Sequence, residues 1–87
     1  MSTLTLANDP LASDVVISDD MLRVFLEDGR ELSVPLEWFP RLRDASASEQ
    51  QNWRLIGHGE GIHWPEIDED ISVEGLLAGR GAKRHAA

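Results

Sequence analysis

On either side of Asp28-Gly29 the apolar residues recur at a period of two. Leu22, Val24 and Leu26 come before it, and Leu32 and Val34 come after it. Successive side chains of a strand point to opposite faces, so this pattern describes two strands that share one buried face. Asp-Gly supplies the positive φ that a two-residue type I′ turn needs at both central positions. The pattern predicts strands over Met21–Glu27 and Arg30–Val34 joined by a tight hairpin. A further strand is predicted at Ser13–Ile17, with Val15 and Ile17 on one face and Val16 on the other. Ser18-Asp19-Asp20 is turn chemistry, because short polar side chains bond their own backbone. The result is a three-stranded antiparallel meander.

The remainder of the chain alternates helix and turn signals. Pro35 removes a ladder donor and ends the third strand. Leu36, Phe39 and Leu42 are three residues apart, which predicts a short helical turn, an interruption before Pro40, and a second turn over Arg41–Asp44. Ser46 and Glu49 have the spacing of a capping box, so a helix is expected from Ala47 to about Ile56. Its inward stripe would be Trp53 and Ile56, with Ala45 or Ala47, and Gly57 would end it. Gly57 to Gly61 reads as a flexible turn. Gly61–Trp64 reads as a short fourth strand, with Ile62 and Trp64 on one face, stopped by Pro65. Ser72 caps a last helix that turns Val73, Leu76 and Leu77 inward and closes at Gly79. The expectation is a single α+β domain over residues 13–79, with a three-stranded antiparallel meander, a short fourth strand and two helices. Residues 1–12 would form a flexible arm with a short extended piece at Thr3–Leu6, and residues 80–87 a flexible tail.

Size and charge limit what such a domain does. A chain of 87 residues makes one small domain. It has no cysteine, so disulfides, thiolate metal sites and cysteine nucleophiles are excluded. Its formal charge is −8, from 8 basic and 16 acidic residues. Three of the basic residues, Arg80, Lys83 and Arg84, lie in the terminal stretch, so the body is more acidic than the total. Binding nucleic acid depends on Lys and Arg neutralising phosphates, which argues against that partner. A basic protein partner, or solubility alone, accounts for the charge. The N-terminus has no basic region followed by an apolar run, and no stretch has the roughly 20 apolar residues of a membrane span. The expected location is cytoplasmic.

The densest chemistry lies between residues 57 and 72. His58, His63, Glu66, Asp68, Glu69 and Asp70 are metal-ligand types. Their spacing matches neither HExxH nor a calcium loop, so no metal and no cofactor are expected. The glycines at 57, 59 and 61 fail the dinucleotide fingerprint, since Ile62 is not a glycine and no strand precedes them in this reading. His63 with Asp68 has the composition of a base and its orienter, and Ser72 that of a nucleophile. Ser72 is better explained as a helix cap. Trp38, Phe39, Trp53 and Trp64 read as core, since a nucleic-acid stacking platform needs a basic groove around it. The candidate partner surface is therefore His58, His63, Trp64, Glu66, Asp68, Glu69 and Asp70, with Trp64 as an aromatic anchor inside an acidic rim. A metal-dependent or acid–base activity at His63 and Asp68/Asp70 is the alternative. DNA binding is the third reading, and it needs a dimer that concentrates Arg41, Arg43 and Arg54 on one face.

Some stretches are more specific than composition. Asp28-Gly29-Arg30 leads into Val34-Pro35-Leu36-Glu37-Trp38-Phe39-Pro40-Arg41-Leu42. Trp53-Arg54-Leu55-Ile56-Gly57, Gly61-Ile62-His63-Trp64-Pro65 and Asp68-Glu69-Asp70-Ile71-Ser72-Val73-Glu74-Gly75-Leu76-Leu77 follow. Together these closely resemble the bacterial family of small proteins called domain of unknown function 2442. The resemblance implies an α+β domain. It also implies kinship with relatives that carry a C-terminal helix-turn-helix and are described as DNA-binding, and with others encoded beside a second small family in a toxin–antitoxin-like pair. The sequence ends at Ala87, which leaves no room for a helix-turn-helix after Leu77, so DNA binding is not expected. No catalytic or ligand residue comes with the resemblance.

Overall fold

The computed structural model describes residues 10–79. The N-terminal residues 1–9, with the expected extended piece at Thr3–Leu6, and the expected tail at residues 80–87 lie outside the described residues.

Three strands form the first sheet: β1 (Ala12–Ser18), β2 (Met21–Leu26) and β3 (Glu31–Pro35), antiparallel in the order β1-β2-β3. Leu22, Val24 and Leu26 are buried on β2, flanked in register by Ile17 and Val15 on one side and Val34 and Leu32 on the other. This is the face the period-two pattern describes. The strand starts at Ala12, one residue before the expected domain boundary. Ala12 is buried, and the Leu11 carbonyl accepts from the Glu27 N–H at 2.9 Å, so these two residues belong to the domain.

Both hairpin turns form where expected, but their geometries are exchanged. Asp19 and Asp20 both have positive φ, 53° and 63°, between the paired residues Ser18 and Met21. That is the two-residue turn with both central positions left-handed. At the second hairpin only Gly29 is left-handed, with φ 97°. The Gly29 N–H donates to the Leu26 carbonyl and the Leu26 N–H to the Arg30 carbonyl. This is a three-residue loop with a glycine bulge. Asp28 holds it from outside: its carboxylate accepts from the Arg30 N–H at 3.0 Å and from Arg30 Nε at 2.8 Å.

After β3, a 3-10 turn (Leu36–Trp38) buries Leu36, and α1 (Pro40–Arg43) buries Leu42. Pro40 occupies the first helical position, where its missing N–H costs nothing. Phe39, at φ −129° and ψ 82°, is the predicted interruption. α2 (Ala47–Gln51) begins at the predicted capping box: Glu49 N–H donates to Ser46 Oγ, and Ser46 N–H to Glu49 Oε1.

The helix does not continue to Ile56. It ends at Gln51, and β4 (Arg54–Ile56) pairs with β5 (Gly61–Trp64), which pairs with β6 (Glu69–Ser72). None of the residues of α2 is buried, so nothing apolar favours extending it. Trp53 and Leu55 are half-buried while Arg54 and Ile56 are exposed. The stretch thus follows period two, with Leu55 set opposite Ile62, rather than the helical spacing of Trp53 and Ile56. Gly57, φ 62°, belongs to the β4–β5 turn and is not a helix stop.

The last helix, α3 (Val73–Ala78), matches its signals. Ser72 Oγ accepts from the Gly75 N–H at 2.9 Å, and Gly79 is left-handed at φ 74°. Val73 and Leu76 are buried, but Leu77 is 47% exposed and leaves the expected inward stripe. Among the described residues the α+β architecture therefore comprises two three-stranded antiparallel sheets and three short α-helices. Their apolar faces meet in one core that contains Leu22, Val24, Leu42, Ile62, Trp64 and Val73.

The two sheets touch backbone to backbone at one joint. Ala12 N–H donates to the Gly59 carbonyl at 2.8 Å. Gly59 has φ 112°, and a Cβ there would lie 2.5 Å from the Ala12 carbonyl oxygen. Only glycine allows this approach.

Candidate functional site

The seven residues grouped by sequence fall on two faces and two ends of the second sheet. His63, in the middle of β5, stands opposite Arg54 of β4 and Asp70 of β6. The row is fixed by pairing, since Leu55, Ile62 and Ile71 occupy the register positions of the other face. His63 Nδ1 and Asp70 Oδ1 are hydrogen-bonded. In the neutral tautomer whose Nδ1–H donates to Asp70, Nε2 is an acceptor. This is the base-and-orienter pair of the sequence reading, with Asp70 in the role and not Asp68.

The rest of the catalytic trio does not assemble. Asp68 is a turn residue with φ 54°, and its carbonyl accepts from Arg41 Nη1 at 2.9 Å. The Ser72 hydroxyl serves as the α3 cap. Among the described residues no three His, Cys, Asp or Glu side chains are grouped to hold a metal ion. Among the same residues no helix is long and apolar enough to cross a membrane.

Trp64 bears out the core reading of the aromatic set and overturns the anchor role. It lies on the core face, 0% exposed, and its indole N–H donates to the Gln50 carbonyl at 2.9 Å. A side chain sealed in the core cannot anchor a partner. Glu69, opposite Trp64 in register, is also buried at 8% exposure. Trp38 and Trp53 are half-buried against the core. His58 sits in the β4–β5 turn, at the opposite end of β5 from Glu66 and Asp68. Its N–H donates to Glu60 Oε1 at 2.8 Å, and this bond holds the Glu60 carboxyl below its ordinary pKa.

The described residues carry five arginines against fifteen carboxylates. Four of the five arginines are engaged within the chain. Arg30 pairs with Asp28, Arg43 with Asp44 and Arg23 with Glu31, while Arg41 donates to backbone carbonyls. The Arg43 contact lowers the Asp44 pKa, and the Arg30 N–H bond lowers that of Asp28. Arg54 alone has no hydrogen-bond or ion-pair partner among the described residues. Among the described residues the exposed carboxylates of Glu66, Glu74, Asp19, Asp20 and Glu27 have no ion-pair partner, and Arg41 meets Asp68 at its backbone carbonyl and not at its carboxylate. The structural role of Arg41 has no local sequence signal, because its acceptors lie 26 and 27 residues away.

The family model for proteins of unknown function, DUF2442, matches residues 12–82. The chain belongs to the DUF2442 family. No curated protein matches it. The DUF2442 fold recurs in solved structures. A crystal structure of a protein of unknown function from Rhodospirillum rubrum is 31% identical, with a TM-score of 0.72 over 83% of this chain and 89% of that one. An uncharacterised protein from Chromobacterium violaceum, solved by NMR, shares the fold at 22% identity. Its TM-score is 0.71, over 91% of this chain and 73% of that one. These DUF2442 comparisons bring no activity with them.

Proposed function

We propose that this DUF2442 chain is a non-enzymatic interaction module whose partner is a basic protein. The supporting observation is the imbalance just described: fifteen carboxylates stand against five arginines, and four of those arginines are already occupied. A surface of one sign steers an oppositely charged partner and rejects like-charged ones. Exposed Glu66, Asp68 and Asp70, with His58 and half-buried His63, remain the rim of the proposed contact, without Trp64. A basic partner also suits the paired arrangement that the family resemblance implies.

The test is capture with tagged chain from the native host at low salt, read by mass spectrometry. A basic protein recovered in stoichiometric amount, and released as salt is raised, is the expected result. Recovery of only acidic or neutral proteins contradicts the reading.

A further inference from the structure

We infer that the open edge of β1, with the groove beside it, docks an extended basic segment of the partner. This rests on the proposed reading of the chain as a module for a basic protein, and it gives the contact a form.

β1 is an edge strand of the first sheet. A two-residue turn is closed by a hydrogen-bonded pair, here Ser18 and Met21. The antiparallel alternation then directs the backbone groups of Val16 to β2 and those of Val15 and Ile17 to the open edge. Asp14 Oδ1 already accepts the Val15 N–H at 2.8 Å. By this alternation the carbonyls of Val15 and Ile17 and the single N–H of Ile17 lie on the edge side of a buried Val15 and a half-buried Ile17. The edge is rich in acceptors and calls for donors. The opposite edge is less suited to pairing, because β3 ends in Pro35, which has no N–H to offer.

A groove of about 290 Å³ runs beside this edge. β1 lines one wall with Val15, Val16 and Ile17, and Ala47, Gln50 and Gln51 of α2, with Trp53, line the other. No charged side chain is in the lining. Val16 is 41% exposed, and Trp53 is half-buried. An unpaired edge beside apolar lining is the arrangement by which a sheet takes up an added strand. Main-chain bonds supply affinity, and alternate side chains supply specificity.

Charge selects the occupant. Exposed Asp14 lies at one end of Val15–Ile17, and exposed Asp19 and Asp20 lie just beyond the other end. A second copy of this chain, pairing antiparallel about Val16, would set Asp14 opposite Ser18 of its equivalent, next to the turn carboxylates of Asp19 and Asp20. Like charges brought close together repel. An extended segment with apolar residues in the middle and Lys or Arg at both ends meets every feature. Through the Gln50 carbonyl, which holds Trp64, the groove is also tied to the residue from which the acidic β5–β6 turn departs.

The test uses the full chain, labelled with nitrogen-15, and two synthetic peptides of alternating Val and Thr. One is flanked by Lys and Arg, the other by Glu. The basic peptide should shift the amides of Val15–Ile17 and Ala47–Gln51 and the Trp53 indole. The acidic peptide should bind about tenfold more weakly or worse, since like-charge juxtaposition costs more than 1 kcal/mol. Val16→Lys, at an exposed position, should keep the fold by circular dichroism and weaken the basic peptide by about tenfold. Shifts confined to other surfaces, no shifts with either peptide, equal binding of both, or a wild-type dimer formed through β1 overturn the inference. If Val16→Lys still captures the basic host protein as wild type does, the edge assignment fails and the module reading stands. If wild type captures no basic protein, the module reading itself fails.

Discussion

The two sheets share one topology, three antiparallel strands in chain order, but different forces hold them. The first has strands of seven, six and five residues. Each of its turns carries its own chemistry, in left-handed Asp19-Asp20 and in Gly29 with the Asp28 carboxylate. The second has strands of three, four and four residues. Strands so short bury little on their own. They depend on Trp64, which fills the core and grips Gln50 of α2, and on the Gly59 joint to β1. The first sheet is specified locally, the second by its contacts with the rest of the molecule.

Substitutions that strike these supports should separate the two. Trp64→Ala should have the largest effect. Truncating a buried aromatic costs about 3–5 kcal/mol, and a domain of this size has only about 5–10 kcal/mol in total. Far-UV circular dichroism and urea titration should show a protein at or beyond the edge of unfolding. A folded Trp64→Ala protein with native stability would contradict the role given to the second sheet. Gly59→Ala should cost about 3 kcal/mol, from a strained φ together with a forced backbone shift at Ala12. Amide exchange in this variant should accelerate in β5 and β6 before β2. Uniform acceleration would mean that the joint does not divide the molecule as described.

Gly29→Val should cost less, about 1–2 kcal/mol, because the added side chain meets only open space and the loss is the left-handed backbone alone. An unchanged urea midpoint would refute the turn. The smallest effect is one of pH and treats both regions alike. The Arg30 N–H lowers the Asp28 pKa, and the His58 N–H lowers that of Glu60. A depressed carboxyl pKa favours the folded state above the unfolded pKa, and that contribution is lost as pH falls through the folded one. Asp28→Asn and Glu60→Gln should therefore lie slightly below wild type in urea midpoint at pH ~7, and the gap should close as pH falls below the ordinary carboxylate range. A gap that stays constant with pH would show that these carboxylates act by something other than charge.

The same contrast explains what could be read from sequence. Alternation at Leu22, Val24 and Leu26 needs no partner to be recognised, and neither do the capping box at Ser46 and the Ser72 cap. β4 was hidden because Trp53 and Ile56 also fit a helical stripe. Only the pairing of Leu55 with Ile62 decides for a strand. β6 was hidden because Glu69, Asp70 and Ser72 are poor strand formers, and it exists because Ile71 is buried against β5. At the candidate site, the sequence drew His63 and Asp70 into one group, and strand pairing brings them together. The grouping also counted Trp64 as a partner anchor, although the strand reading set it with Ile62 on one face and the aromatic set read as core, which is where it lies. Period two puts consecutive residues on opposite faces, so His63 outside requires Trp64 inside.

The most direct test of the functional account is the association rate of the captured basic protein as a function of salt, for wild type and for Glu66→Gln combined with Asp68→Asn. Rim charges act on the encounter rather than on the lifetime of a complex. The wild-type rate should fall steeply as salt rises. The double variant should associate more slowly at low salt and depend less on salt, with dissociation unchanged. An association rate that ignores salt, or a double variant that associates as fast as wild type at low salt, would contradict the claim that this acidic surface guides a basic partner.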